Sequence, residues 1–281
     1  MIQKIRLNLI TLLLFTQTLL AQQSEVLKVL AIGNSFSEDA IENYLYNLAK
    51  ADNKKMIIGN LYIGGASLEL HVNNANADKS IYSYRKTNED GTKSSTKNTS
   101  ISQAIKDEDW DYISLQQASP YSGKYDVIMK SLPELVNYVD SLKSSKTKLV
   151  YHQTWAYQQD SEHKGFANYG RDQTTMYQGI IHATKNIKKS AAFSFVVPVG
   201  TAIQNARTSS IGDKYTRDGY HLQLDYGRFT AACTWYEILF RRDVRQNSYK
   251  PEKVSELQAK IAKEAANKAI KKPFKVSKIN L

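Results

Sequence analysis

The fold of this chain is decided by its first internal apolar run, VLKVLAIGNSFS at residues 26–37. The apolar residues, interrupted by one lysine, predict a buried strand that stops at the small and polar group Gly33-Asn34-Ser35. Residues 38–51 then place apolar side chains at helical spacing, with Ser37 as a suitable N-cap. The stretch therefore predicts a strand, a tight turn and a helix, which together form the first unit of an α/β protein.

The same alternation of apolar strands and amphipathic helices continues along the chain. Further strands are predicted at 56–63, 110–115, 147–153 and 192–199, and further helices at 125–142, 174–187 and 224–240. Pro133 should kink or divide the first of these later helices. The alternation predicts an α/β three-layer sandwich with a central parallel sheet of five strands.

A polar insertion at residues 72–100 interrupts this alternation between the second and third strands. Its Asn88-Glu89-Asp90-Gly91 stretch is typical of a β-hairpin turn, so a small polar hairpin is predicted. Such an insertion either shapes a substrate pocket or forms a plain surface loop.

The first 21 residues have the composition of a signal peptide. Lys4 and Arg6 precede the apolar run Leu7–Leu20, and Ala21 is followed by two glutamines. The run is shorter than the roughly 20 residues that span a bilayer, so a retained membrane anchor is not expected. We predict cleavage near Ala21 and export to the periplasm or the extracellular space.

The remaining chain is predicted to divide into an enzyme-like domain at 22–240 and a basic C-terminal helix and tail at 241–281. The formal net charge is +11, and residues 241–281 hold twelve Lys and Arg against four Asp and Glu. This segment is either a solvated helix and tail or a contact for an anionic polymer. Nucleic acid is not an expected partner of an exported chain. The single cysteine, Cys233, excludes an internal disulfide framework.

Four of the predicted strands end in small or polar groups. These ends are Gly33-Asn34-Ser35, Gly64-Gly65, Gln116-Gln117 and Gln153-Thr154-Trp155. In an open parallel sheet, ligands bind outside the carboxyl ends of the strands, so the four groups should meet at one edge. The sequence therefore predicts a single site built from these strand ends.

Asp218-Gly219-Tyr220-His221 can complete this site as a catalytic centre. A serine hydroxyl needs an imidazole to accept its proton, and the imidazole needs a carboxylate to fix its tautomer. An Asp three residues before a His, in a loop entering a helix, can place both groups in one line. Ser35 is therefore the candidate nucleophile, His221 its general base and Asp218 the residue that orients His221.

These residues resemble the motifs of the SGNH/GDSL-hydrolase superfamily, and more closely a Bacteroidetes-type group of exported SGNH-like proteins of poorly defined function. The resemblance covers residues 26–240. Gly33-Asn34-Ser35 stands where that family has its Gly-Asp-Ser nucleophile block, and Asp218 with His221 matches its terminal Asp-x-x-His block. Gly64-Gly65 stands where a family glycine donates its N–H to the oxyanion. The resemblance implies a flavodoxin-like fold and a serine esterase.

One family block differs in this chain. The family has Gly-x-Asn-Asp, whose asparagine donates to the oxyanion, whereas this strand ends Leu115-Gln116-Gln117-Ala118-Ser119. A glutamine amide offers the same N–H donor on a longer arm, so Gln116 or Gln117 is predicted to replace the asparagine. Strand alternation lets only one of them face the site, and either glycine of Gly64-Gly65 can supply the backbone donor, with Gly65 preferred.

The resemblance implies hydrolysis of carboxylic esters, with O-acetyl groups on carbohydrate as the expected substrate. Asn34, Gln153 and Trp155 are candidate substrate-binding residues, and Trp155 either stacks on a sugar ring or is a half-buried tryptophan at the rim. The alternative hypothesis is a glycan-binding protein that keeps the pocket without turnover. No metal or cofactor is expected, because the sequence lacks His-Glu-x-x-His, Cys-x-x-Cys and Walker-type motifs.

Overall fold

The computed structural model describes residues 26–281, so the predicted signal peptide lies outside the described residues. Its strands are β1 Leu27–Gly33, β2 Met56–Tyr62, β3 Tyr82–Thr87, β4 Lys93–Thr99, β5 Tyr112–Leu115, β6 Lys148–His152 and β7 Phe195–Val197. They form one sheet in the order β4-β3-β2-β1-β5-β6-β7. The five strands predicted from the sequence are β1, β2, β5, β6 and β7, and each pairs with its neighbour in parallel.

The polar insertion adds two strands to this sheet. β3 pairs antiparallel with β2, and β4 pairs antiparallel with β3, so the predicted hairpin is an extension of the central sheet. Gly91 provides the turn with a φ of +90°, a conformation that glycine adopts without strain. β4 lies at the edge and is exposed along most of its length, and its Lys, Ser and Thr side chains suit an edge strand.

Ten helices are described in residues 26–281. They are α1 Ser35–Ile41, α2 Leu45–Ala51, α3 Leu68–Asn76, α4 Ile101–Lys106, α5 Tyr125–Met129, α6 Leu132–Leu142, α7 Gln173–Lys189, α8 Val199–Ala206, α9 Tyr226–Phe240 and α10 Glu256–Lys271. Pro133 lies in the first turn of α6, where it separates α6 from α5 as predicted. None of these helices is long and apolar enough to cross a membrane.

The structure differs from the single helix predicted over 38–51, both where the helix starts and in its middle. The structure has two helices there, and the N-cap of α1 is Asn34, whose side chain accepts a hydrogen bond from the Phe36 N–H. Ser37 is not the cap, because its buried hydroxyl donates to the Asn34 carbonyl and to Asn60 Oδ1 on β2. Ser35 therefore becomes the first residue of α1, directly at the end of β1.

Helices cover both faces of the sheet and give three layers. One apolar cluster includes α1, α2, α9 and α10 with Trp155 and Trp235, and the other includes α3 to α6 with Trp110. The protein is thus an α/β fold with a single, mostly parallel central sheet flanked by helices. Cys233 is fully buried in the first cluster, and burial raises the pKa of its thiol.

The C-terminal segment belongs to this body. α10 packs against α8 and α9 and buries an alanine-rich face that includes Ala262 and Ala266. The Ile279 N–H donates to Thr208 Oγ1, and the carbonyl of Leu281 accepts from the Ser210 N–H. The segment predicted as a separate basic helix and tail at 241–281 therefore packs on the domain through both its helix and its last residues. The abundant lysines occupy the outer side of a helix whose small residues pack inside.

Candidate active site

Three predicted residues meet at the carboxyl edge of the sheet. Ser35 Oγ lies 2.8 Å from His221 Nε2, and His221 Nδ1 lies 2.6 Å from Asp218 Oδ2. Both distances are within the hydrogen-bond reach that proton transfer requires. The arrangement brings a hydroxyl, an imidazole and a carboxylate into one line although Ser35 and His221 are 186 residues apart.

A tight turn in the loop between α8 and α9 presents Asp218 and His221. Gly219 has a φ of +88°, and Asp218 Oδ1 accepts the backbone N–H groups of Tyr220 and His221. Burial alone would raise the pKa of Asp218, but the hydrogen bonds from the His221 ring and from these two N–H groups outweigh it and hold the pKa below its ordinary value. Asp218 is therefore ionised at neutral pH, as the orientation of a base requires.

A second, buried carboxylate holds this loop against α1. Asp39 lies one helical turn after Ser35, and its side chain has no exposed surface. Its Oδ2 accepts the Leu222 N–H at 2.8 Å, and the carboxylate also binds the guanidinium groups of Arg217 and Arg228. Because Leu222 follows His221 directly, these contacts fix the base relative to the helix that carries Ser35.

Backbone N–H groups surround the space in front of Ser35. The N–H of Ser35 is at the start of α1, where no carbonyl of that helix can accept it. Gly64 and Gly65 form the turn after β2, and both line the cavity. The three N–H groups have no hydrogen-bond partner within the described part of the chain. They can therefore donate to an oxyanion that forms at Ser35.

Both glutamines predicted as oxyanion donors are buried, and the Gln116 side chain is fully engaged within the protein, which corrects the prediction for Gln116. Gln116 is 1 % exposed, and its Nε2 donates to Asn34 Oδ1 at 2.8 Å while its Oε1 lies 2.6 Å from His152 Nδ1. The Oε1 of Gln117 accepts the N–H groups of Leu68 and Ala118. Neither glutamine lines the cavity, whereas the next residues of the chain, Ala118, Ser119 and Pro120, do.

Asn34 lines the cavity, but its side-chain amide is used within the protein. Its Oδ1 accepts from the Phe36 N–H and from Gln116, and its Nδ2 donates to the Ala66 carbonyl at 2.9 Å. Asn34 therefore ties the turn of Gly64 and Gly65 to the start of α1. Its predicted role in substrate binding is replaced by one in positioning the backbone donors.

Gln153 and Trp155 are fully buried and do not line the cavity, so their predicted contact with substrate is also wrong. Gln153 Oε1 accepts from the N–H and the hydroxyl of Thr201 on α8, because that helix covers the end of β6. Trp155 stacks on Phe36 with ring centroids 4.2 Å apart, and its Nε1 donates to the Tyr220 carbonyl. Trp155 thus contacts Phe36, which follows Ser35, and Tyr220, which precedes His221.

The cavity in front of Ser35 has a volume of about 450 Å³. Apart from the catalytic residues and the turn glycines, its walls include the apolar Pro120 and a set of charged, aromatic and polar side chains, namely Glu38, Tyr62, Ser119, His163, Arg217 and Tyr220. The Arg85 guanidinium covers the Tyr62 ring at 3.8 Å, which fixes that wall from the hairpin side. No local pattern in the sequence indicates Tyr62, His163 or Arg217, since none of them lies in a motif.

No three His, Cys, Asp or Glu side chains in residues 26–281 converge in a way that could hold a metal ion.

The fold is similar to that of SGNH hydrolases. A proposed SGNH hydrolase from Slackia heliotrinireducens shares the fold with a TM-score of 0.52 at 19 % identity, over 76 % of this chain and 98 % of that chain. More specifically, the family described as a domain of unknown function, DUF4886, matches residues 28–269, and the chain belongs to it.

A DUF4886 family protein from Bacteroides uniformis has a crystal structure that is similar over almost the whole chain. It is 51 % identical, with a TM-score of 0.89 over 91 % of this chain and 98 % of that chain. The comparison with curated proteins found no match.

Proposed function

We propose that this protein is an exported serine esterase that removes acyl groups, O-acetyl in particular, from carbohydrate. The observation that carries the proposal is the continuous line from Ser35 Oγ through the His221 ring to Asp218, with distances of 2.8 and 2.6 Å. A hydroxyl placed beside a base that is itself oriented by a carboxylate is the geometry of an activated nucleophile.

The reaction follows from this geometry in two halves. Ser35 Oγ attacks the ester carbonyl carbon as its proton moves to His221 Nε2, and the N–H groups of Ser35 and Gly65 stabilise the oxyanion. The C–O bond to the alcohol then breaks, and the alcohol leaves with the proton held by His221. Water attacks the acyl-serine, gives its proton to His221, and the acid is released as Ser35 recovers its proton.

The cavity supports a compact, polar substrate. Its volume of about 450 Å³ suits one sugar unit with a short acyl group, and its walls combine the aromatic rings of Tyr62 and Tyr220 with the charged groups of Glu38 and Arg217. Aromatic faces pack on the apolar CH faces of sugars, while polar groups bind hydroxyls. A long acyl chain would need an apolar channel, which these walls do not provide.

The test is hydrolysis of p-nitrophenyl acetate and release of acetate from acetylated xylan. Ser35→Ala and His221→Ala should each lower kcat by at least about a thousandfold on both substrates. Ser37→Ala is the matched control, because the Ser37 hydroxyl is buried and hydrogen-bonds Asn34 and Asn60, away from the reacting atoms. Wild-type protein without activity on any acetyl ester would contradict the proposal.

A glycan-binding protein without turnover is the second candidate. It is favoured by one observation, that Gln116 is engaged with Asn34 and His152 and that neither Gln116 nor Gln117 lines the cavity. Removing one oxyanion donor costs about 3–4 kcal/mol of transition-state stabilisation. Calorimetric binding of acetylated xylan oligosaccharides that remain intact after incubation would support this candidate over the esterase.

We also propose contact with an anionic polymer through the tail lysines, Lys271, Lys272, Lys275 and Lys278. All four are exposed on the C-terminal segment that is fixed to the body, and the described part of residues 265–281 contains no acidic side chain. Clustered surface charge attracts polyanions in a salt-dependent way.

A further inference from the structure

His163 lines the catalytic cavity without belonging to the Ser35–His221–Asp218 line. It lies in the segment between β6 and α7, which packs closely against both sides of the cavity. A Cβ on Gly165 would lie 2.6 Å from Pro120 Cβ, and a Cβ on Gly219 would lie 2.8 Å from Ser161 Oγ. These close approaches hold the His163 segment in one position beside the loop that carries His221.

The His163 ring is held on three sides. Its Nδ1 accepts the Gly165 N–H at 3.0 Å, and the rings of Tyr157 and Tyr220 flank it with centroid distances of 4.9 and 4.6 Å. Nε2 has no hydrogen-bond partner among the described residues and is not among their buried polar atoms. Nε2 is therefore the accessible nitrogen of a ring that lines the cavity.

The contact with Gly165 also fixes the proton of the ring. A nitrogen that accepts a backbone N–H carries no proton in the neutral imidazole, so the proton is on Nε2. Burial and the nearby His221 lower the pKa of His163 below its ordinary value, which keeps the ring neutral at pH 7. The cavity therefore contains a preorganised, uncharged N–H donor.

We infer that His163 is a specificity-determining residue that donates a hydrogen bond from Nε2 to a hydroxyl or ring oxygen of the leaving alcohol. The inference rests on the proposed function and deepens it, because it selects esters of polyhydroxylated alcohols over esters of plain ones. The Tyr220 ring contacts both imidazoles, with centroid distances of 4.6 Å to His163 and 4.1 Å to His221, so the donor and the base lie on the same side of the cavity.

The experiment compares two acetate esters of six-membered-ring alcohols, a monoacetylated methyl xyloside and cyclohexyl acetate, which lacks the ring oxygen, the methoxy group and the free hydroxyls of the xyloside. His163→Phe keeps a flat ring and removes the donor, so kcat/KM for the xyloside ester should fall about tenfold, the worth of one neutral hydrogen bond. For cyclohexyl acetate it should stay within about twofold of wild type. His163→Gln places an amide N–H near the position of Nε2 and should recover most of the xyloside activity.

The matched control is His182→Phe, because His182 is exposed on α7 and does not line the cavity. It should leave both kcat/KM values unchanged. An equal loss on both substrates in His163→Phe, or no loss on either, would overturn the inference while the proposed function stands. A wild-type protein that hydrolyses neither these esters nor p-nitrophenyl acetate would instead remove the proposed function and this inference with it.

Discussion

Replacing Asp39 by asparagine removes a charge and keeps the shape of the side chain. The Asp39 carboxylate is completely buried, and it receives hydrogen bonds from Arg217, from Arg228 and from the Leu222 N–H. Removing one partner of a buried ion pair costs about 3–5 kcal/mol, because the other charge is left without compensation. Arg217 is 31 % exposed and can recover part of its hydration, so we expect a loss of about 2–3 kcal/mol in the free energy of unfolding.

The same change should lower catalysis more than binding. The contacts of Asp39 hold the segment from Arg217 to Leu222, and His221 is part of that segment. A displacement of about 1 Å between reacting groups costs on the order of a hundredfold in rate. We therefore expect kcat on p-nitrophenyl acetate to fall between about tenfold and a hundredfold in Asp39→Asn, with KM nearly unchanged.

Urea unfolding and steady-state kinetics at a temperature where the variant is fully folded measure these two effects separately. Asp126→Asn is the control, because Asp126 is exposed on α5 and should affect neither quantity. Surface substitutions usually change the free energy of unfolding by no more than about 0.5 kcal/mol. A change in Asp39→Asn that is no larger than this would refute the energetic reasoning. An unchanged kcat in the folded variant would refute the positioning role.

Three further predictions concern the surroundings of the site. Gln116→Leu leaves Asn34 Oδ1 with one donor fewer and His152 Nδ1 without its partner, so urea unfolding should show a loss of about 2–4 kcal/mol. Burial lowers the pKa of His152 to about 3. Between the ordinary value of 6.5 and this value, the His152 ring takes up a proton in the unfolded chain but not in the folded one. As the pH is lowered from 6 to 4, this difference should reduce the free energy of unfolding by up to about 1.4 kcal/mol per pH unit. Urea titrations at each pH measure this slope, and His152→Gln should lack the contribution. Replacing the tail lysines by serine should lower the salt concentration that elutes the protein from a heparin column, and an unchanged elution would remove the polyanion proposal.

The sequence was sufficient for the parts of the molecule that depend on local patterns. Alternating apolar strands and amphipathic helices predicted the five parallel strands, because a strand that is covered on both faces has a continuous apolar run that can be recognised without knowing which strands pair with it. The Asp-x-x-His spacing placed Asp218 beside His221, because three residues in a tight loop can bring the two side chains together. Ser35 followed from the end of β1, since strand ends of a parallel sheet share one edge.

The predictions that were wrong concern residues at strand ends, because their exposure depends on which other segments of the chain cover those ends. Gln116 and Gln153 lie where the pattern predicts an open edge, but the chain beyond β5 and helix α8 close over them. Trp155 is buried for the same reason. Asp39 and its two arginines are separated by 178 and 189 residues, and no local pattern indicates that a charged residue on α1 will be buried against them.

Labelling with a fluorophosphonate probe tests the central claim most directly, because such a probe forms a covalent bond only with an activated serine. Peptide mass spectrometry of the wild-type protein should show one phosphonyl adduct, located on Ser35. The adduct should be absent in Ser35→Ala and in His221→Ala, and present in Ser37→Ala. An adduct on another serine, or a folded wild-type protein that remains unlabelled, would contradict the assignment of Ser35 and His221 as nucleophile and base.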